Sequence, residues 1–406
     1  MELQSTSHLR QGARGLDVSI VMPCLNEVRS LPHCIANAQE ALRRIEEQYG
    51  LAGEIIVADN GSTDGSQELA ASLGARVINV SAKGYGTALI GGFEAAFGRY
   101  LIMGDADGSY DFTDGAAMIG RLIEGADLCM GSRFDGGIAA GAMPWKNRYI
   151  GNPALTGILN LFFHSGVRDA HCGLRAITKD AFVTLELNGS GMEFASEMVI
   201  KASLKNLRIT QVPATLSPDL RDRPPHLRPW RDGWRHLRYL LMLSPTWVFG
   251  VPAIIAMTSA SLVLSVATLY SLGLLYGEPP FGAGWTLIAG FMFTVGHLSV
   301  IMAMATHFHG VRRGYRSLRP FFHRFGHVLT LENALISGGA MVACGFVGLV
   351  VIGIYWTSHN FIALPSTLPL LCAAVVGSVG VQTILGGFLL AIIAGHDANL
   401  TPAAKK

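Results

Sequence analysis

The sequence predicts two joined architectures: a Rossmann-like α/β domain on a mainly parallel sheet, and an α-helical transmembrane domain of four spans. Three observations predict them. Charged residues, glycines and short apolar runs mix up to about Arg238, whereas from about Leu240 long stretches carry almost no charge. In the first half, short β-branched runs alternate with segments of helical period. In the second, four stretches reach the roughly twenty apolar residues that a bilayer crossing needs.

Val18–Met22 is a short β-branched run and reads as a buried strand. Leu31–Tyr49 has helical spacing, with Ser30 placed to cap it and Pro32 tolerated in its first turn. Glu54–Ala58 reads as a second strand, followed by the turn-rich DNGSTDGS and a helix through Leu73. Arg76–Val80, Tyr100–Met103 and Leu128–Met130 read as further strands, separated by helices over Thr87–Phe97 and Asp114–Glu124. Such alternation implies right-handed βαβ units, and ligands of these sheets bind beyond the carboxyl ends of the strands. Each strand ends in a polar cluster: Pro23–Glu27, Asp59–Asp64, Lys83–Gly86, Asp105–Asp111 and Ser132–Arg133. Their convergence on one edge predicts a single site.

The expected spans are roughly Trp247–Leu275, Trp285–Thr306, Ala334–Trp356 and Leu368–Ala394. The loop His307–His327 carries Arg312, Arg313, Arg316, Arg319 and Arg324 without an acid, while the loops near Glu278 and His359 hold no Lys or Arg. The positive-inside rule puts the arginine loop in the cytoplasm, and an even number of spans returns both termini there. Between the halves, RDRPPHLRPWRDGWRHLR (221–238) suits an interfacial helix, with tryptophans at headgroup depth and arginines on lipid phosphates. A flank that only fixes topology is compatible with the same residues. The net charge of +2 does not discriminate, and the six cysteines form no CxxC pair, so a reduced cytosolic domain is expected. The expected division is a disordered tail over 1–16, the α/β domain over 17–220 and a basic juxtamembrane segment over 221–245. The spans follow over 246–396, with a cytoplasmic tail over 397–406. The spans leave room for a homo-oligomer; nucleic acid is not an expected partner.

MGDADGSYD (103–111) gathers three aspartates behind a strand. Asp105 and Asp107 flank one small residue, and hard divalent ions such as Mg²⁺ or Mn²⁺ bridge such carboxylates to substrate phosphates. An EF-hand is excluded, because Tyr110 and Ala116 stand where its Gly and Glu belong. Asp111 reads as a helix-entry residue near Thr113. Asp59 either accepts hydrogen bonds from a base or ribose or closes an Asx-turn. Lys83-Gly84-Tyr85-Gly86 resembles a phosphate-approach loop, although neither a Walker pattern nor GxGxxG after a strand occurs.

VSIVMPCLNE, VADNGSTDGS, KGYGTALIGGF, MGDADGSYD, GSRF and DAHCGLRA occur in the order and spacing of family 2 glycosyltransferases of GT-A fold. The chain resembles in particular dolichyl-phosphate mannose synthases and bacterial polyisoprenyl-phosphate glucosyltransferases, over roughly Asp17–Arg238. The resemblance implies a nucleotide diphosphate sugar donor (GDP-mannose or UDP-glucose type), Mg²⁺ or Mn²⁺, and a polyisoprenyl phosphate acceptor (undecaprenyl or dolichyl phosphate). It assigns Pro23, Asn26, Glu27, Asp59 and Asp64 to the donor, with Lys83 and Asp105 alongside. It assigns Asp107 to the metal, with Asp105 and with Ser109 where relatives often have Gln. Acceptor phosphate contacts fall to Arg133, Arg148, Asn152 and Arg175, then to Arg221 or Arg223 and to His226, which stands where Lys is usual. Glu197 would bind a sugar hydroxyl or orient Arg175.

The implied reaction is direct displacement with inversion, since a phosphomonoester with its second pKa near 6 is already a nucleophile at neutral pH. Asp105, Asp107 and Arg133 carry the chemistry in this reading. Two enzymatic alternatives are a processive polysaccharide synthase, whose QxxRW and TED-like strings do not occur here, and a transferase to a glycolipid hydroxyl, which needs a general base. A lipid-linked-sugar translocase or assembly platform is the non-enzymatic alternative.

Overall fold

The computed structural model describes residues 15–221, 229–314, 316, 318–395 and 400. The chain divides into two compact units, with the boundary between Leu243 and Ser244.

The first unit alternates β1 (Leu16–Cys24), α1 (Leu31–Tyr49), β2 (Ala52–Asp59), α2 (Ser66–Ser72), β3 (Arg76–Asn79), α3 (Tyr85–Ala95), β4 (Tyr100–Met103), α4 (Gly115–Ile123) and β5 (Leu128–Ser132). It continues with α5 (Asn152–Phe163), β6 (Arg175–Thr178), α6 (Lys179–Leu185), α7 (Phe194–Leu204), β7 (Ile209–Pro213) and α8 (Pro229–Met242). The strands form one sheet in the order β3-β2-β1-β4-β6-β5-β7. All pairs are parallel except those of β6, which runs antiparallel between β4 and β5.

Successive side chains of a strand point to opposite faces. Ile20 and Met22 therefore enter one core with Ile35, Ala38 and Phe112, while Val21 enters the other with Phe93, Leu101 and Phe194. A sheet buried on both faces explains why β1 and β2 read as continuous apolar runs rather than alternating ones. Ser30 departs from expectation at the start of α1. It makes no side-chain cap there, because its hydroxyl donates to Ala106 O at 2.6 Å in the loop after β4. Strands β6 and β7 carry no sequence signal. RAIT opens on a charged residue and spans only four positions, and ITQVP mixes Gln211 and Pro213 into a short run.

In α8, His236 and Leu240 are buried and Tyr239 and Leu243 pack on the second core, whereas Arg231, Trp234 and Met242 are exposed. The i, i+3, i+4, i+7 spacing of the packed positions makes the helix amphipathic.

The second unit holds α9 (Val251–Ser271, led in by 246–250), α10 (Ala283–Arg312), α11 (Leu331–Ser358) and α12 (Leu368–Ala394). All four are long and apolar enough to cross a membrane. α11 and α12 approach backbone to backbone: a Cβ on Gly345 would meet Gly377 N at 2.7 Å and Ala373 O at 2.8 Å. Small residues are what allow membrane helices this proximity.

Candidate active site

From β1 the chain proceeds outward to β2 and β3, then returns to β4 on the other side. A reversal of this kind opens a crevice beyond the strands' carboxyl ends, and here it holds a cavity of about 880 Å³. The sheet end of the cavity is polar, lined by Pro23, Glu27, Lys83, Asp105, Asp107, Ser109 and Arg133. Its far walls are largely apolar, with Met143, Leu155 and Ile158 on the α5 side and Trp234 and Leu237 of α8.

The loop after β4 sorts its three acids. Asp107 is buried, and its Oδ1 accepts hydrogen bonds from Ser109 N at 2.9 Å and Ser109 Oγ at 2.6 Å. Gly108, at φ +79°, makes this tight turn accessible. The other oxygen, Oδ2, pairs with the Arg221 guanidinium, whose Nε also lies 3.2 Å from Glu27 Oε1. The positive charge among the acids is thus an arginine from beyond β7. Asp105 Oδ1 accepts from the Tyr85 hydroxyl at 2.9 Å; burial and the nearby Asp107 push its carboxyl up to about 6. Asp111 caps residues 112–114, accepting from Thr113 N and Asn37 Nδ2, both at 2.9 Å.

Arg133 reaches the cavity already engaged. Its Nε and Nη2 donate to Asp169 at 2.7 and 2.8 Å, and its backbone N–H donates to the same carboxylate at 3.1 Å. Bidentate charge-assisted pairs are the strongest side-chain hydrogen bonds. Arg133 therefore offers any phosphate its remaining N–H groups rather than an uncompensated charge.

Several residues expected at the site serve other ends. The Arg175 guanidinium is fully buried and donates to the carbonyls of Ala170, Cys172 and Ala195 at 2.6–2.9 Å. It crosslinks its own turn to α7 instead of facing a phosphate. Glu197 pairs with Lys201 at 2.7 Å and accepts from Gly189 N at 2.7 Å, so it fixes the 188–189 loop and does not bond Arg175. Asp59 Oδ2 accepts from Gly61 N, Ser62 N and Gln67 Nε2 at 2.6–3.0 Å, the Asx-turn geometry. Asn26 and Asp64 tie the loop after β1 to the loop after β2 through Thr63 N at 2.8 Å and Val28 N at 3.1 Å. These three build the cavity rim without lining it.

Asn152 lines the cavity. Arg148, one turn earlier, places its guanidinium 5.5 Å over the Tyr149 ring, outside the lining. Arg223 and His226 lie outside the described residues. Sequence reasoning missed Tyr85, Asp169 and His171. All three stand inside quoted motifs, but only the fold shows which side chains they meet.

Residues 19–185 match the model of glycosyl transferase family 2, and residues 304–394 match that of the glycosyltransferase family 2 C-terminal transmembrane region. The low-salt glycan biosynthesis hexosyltransferase Agl6 of Haloferax volcanii is 36% identical over 377 residues, covering 92% of this chain and 88% of that protein. The glycosyltransferase AglJ of the same organism is 32% identical over 53% of this chain and 68% of its own. The dolichol-phosphate mannosyltransferase of Pyrococcus furiosus is 29% identical over 49% of this chain and 56% of its own. Sheet order, motif loops and an almost full-length relative agree, and the chain belongs to glycosyltransferase family 2 as a membrane-integrated, GT-A-type glycosyltransferase.

Proposed function

We propose that the protein moves a hexose from a nucleoside diphosphate sugar to polyisoprenyl phosphate, with inversion, at the cytosolic face of the membrane. The observation that carries this reading is the division of one cavity into a polar sheet end, rich in carboxylates and guanidinium groups, and an apolar far end walled by α5 and α8. A sugar diphosphate suits the first and the start of an isoprenoid chain suits the second. The Pyrococcus furiosus relative, by its name a transferase acting on dolichol phosphate, supports the acceptor class. The arginine-rich loop around Arg312–Arg324 supports the cytosolic placement.

The donor set suits a hard divalent ion. Asp107 already binds a cationic group in Arg221, and the neighbouring oxygens are those of Asp105 and Ser109. Among the described residues no group of three or more His, Cys, Asp or Glu could hold a metal alone, so substrate phosphates would complete the shell. Mg²⁺ or Mn²⁺ held by Asp107, with Asp105 and Ser109 beside it, would stabilise charge on the departing diphosphate. Arg221, released from Asp107, is then available to a phosphate, and the free donors of Arg133 orient the attacking one. The reaction needs no general base, because positioning and charge shielding suffice for a nucleophile that is already ionised.

The test is to incubate purified protein with a panel of nucleotide sugars and undecaprenyl or dolichyl phosphate, and to identify the lipid product by mass spectrometry. A hexosyl-phospholipid product with wild type, and its loss with Asp107→Ala, is expected. Transfer by Asp107→Ala near the wild-type rate would refute the metal assignment.

A further inference from the structure

His171 lies on the turn Asp169–Gly173 and lines the cavity. The turn is pinned on several sides. Asp169 binds Arg133, the Gly173 N–H donates to the Tyr110 hydroxyl at 2.8 Å, and Arg175 Nη2 donates to Ala170 O at 2.9 Å. The imidazole stands edge-on to that of His236 on α8, with centroids 4.9 Å apart and planes at 88°. His236 is held in turn by a 2.8 Å hydrogen bond between its Nδ1 and Ser196 Oγ.

The ring is fixed, yet neither of its nitrogens has a hydrogen-bond partner among the described residues, although both are buried. Buried polar atoms are rarely left so, and those that are point to a missing partner. Burial, His236, Arg133 and Arg175 all disfavour the proton and hold the pKa well below the usual histidine range. The ring is therefore neutral at pH 7, with one N–H donor and one lone pair.

That complement discriminates between occupants. Phosphate oxygens at neutral pH only accept, and would leave the second nitrogen bare. A pyranose hydroxyl both donates and accepts, so hydroxyls can serve either nitrogen. The location agrees, because a transferred sugar must sit between its leaving diphosphate and the attacking phosphate. The His171 turn packs between the loop of Asp105–Tyr110 and Arg133. Resting on the proposed hexosyl transfer, we infer that His171 is a sugar-binding residue whose open ring nitrogens hydrogen-bond hydroxyls of the transferred hexose and help select which hexose is accepted.

The experiment uses the full chain in lipid nanodiscs with Mn²⁺ and titrates UDP, GDP and a panel of their hexose conjugates by calorimetry. His171→Leu should leave affinity for the bare nucleotide unchanged and weaken the sugar nucleotide about tenfold. His171→Asn, which restores a donor and an acceptor, should recover part of the loss. The melting temperature of His171→Leu should equal or exceed that of wild type, because the substitution removes unpaired polar atoms. Equal weakening of bare nucleotide and sugar nucleotide, or no weakening of either, would overturn the assignment. If wild type binds none of the ligands, the hexosyl-transfer reading itself fails and takes this inference with it. If wild type binds and the variant does not discriminate, the inference alone fails.

Discussion

Replacing Asp169 by asparagine should destabilise the catalytic unit more than deleting the whole ion pair to which it belongs. Asp169 has no solvent exposure and its partner Arg133 has 9% side-chain exposure, so almost no water is at hand to compensate a lone guanidinium. Asparagine keeps the shape but removes the charge that accepts four N–H groups, three of them from Arg133. Removing one partner of a buried pair costs about 3–5 kcal/mol, whereas exchanging both for apolar groups of similar volume is often neutral or stabilising. At about 2–4 °C per kcal/mol for a unit of this size, Asp169→Asn should lower the melting transition by roughly 6–20 °C. Arg133→Met combined with Asp169→Leu should lose less than the single variant, its remaining loss coming from the Arg133 and His171 backbone N–H groups that no longer have an acceptor. Thermal and urea unfolding in one detergent would compare the two proteins, with glycosyl transfer measured alongside. The double variant should fold and lose transfer, because Arg133 lines the cavity. An Asp169→Asn protein within about 1 kcal/mol of wild type would refute the reasoning.

Two further outcomes follow from other parts of the molecule. Below about pH 6.5 His171 should contribute a loss of stability, since the unfolded chain takes up a proton that the folded ring, its pKa depressed by burial and by His236, Arg133 and Arg175, refuses, while Asp105, raised to about 6, opposes it. His171→Leu should remove up to about 1.4 kcal/mol of that loss per pH unit, read from denaturation at a series of pH values. In the membrane unit, Gly345→Leu should drive α11 from α12 and cost about 1–3 kcal/mol of thermal stability in detergent. Gly339→Leu is the control, because a Cβ there meets nothing within 4 Å; equal melting of the two variants would refute the close-packing argument.

The elements legible in the sequence were those whose period or composition is local. β1, β2, β4 and α1 declare themselves by apolar runs or helical spacing, and the four long helices by the absence of charge. β6 was not legible, since four residues opening on arginine carry no period. The acids at 105 and 107 were visible as a cluster, but their cationic partner Arg221 stands 114 positions away from Asp107. Arg133 was legible as a basic residue at a strand end, whereas the carboxylate that neutralises it lies 36 positions on. Arg175 and Glu197 show the converse. Their motifs were visible, yet burial turned both side chains toward the backbone of neighbouring turns, which sequence position alone does not reveal.

The contribution of α8 to the cavity bears on where the reaction runs. Trp234, His236 and Leu237 form part of the wall, and the helix is fastened to α7 through the His236–Ser196 hydrogen bond. A chain ending after β7 would keep all seven strands and lose that side of the chamber, leaving a trough open to solvent. A bound donor would then meet water as readily as acceptor, and its hydrolysis would compete with transfer. The helix thus separates a sheet that merely holds its ligands from a vessel that controls who reacts with them.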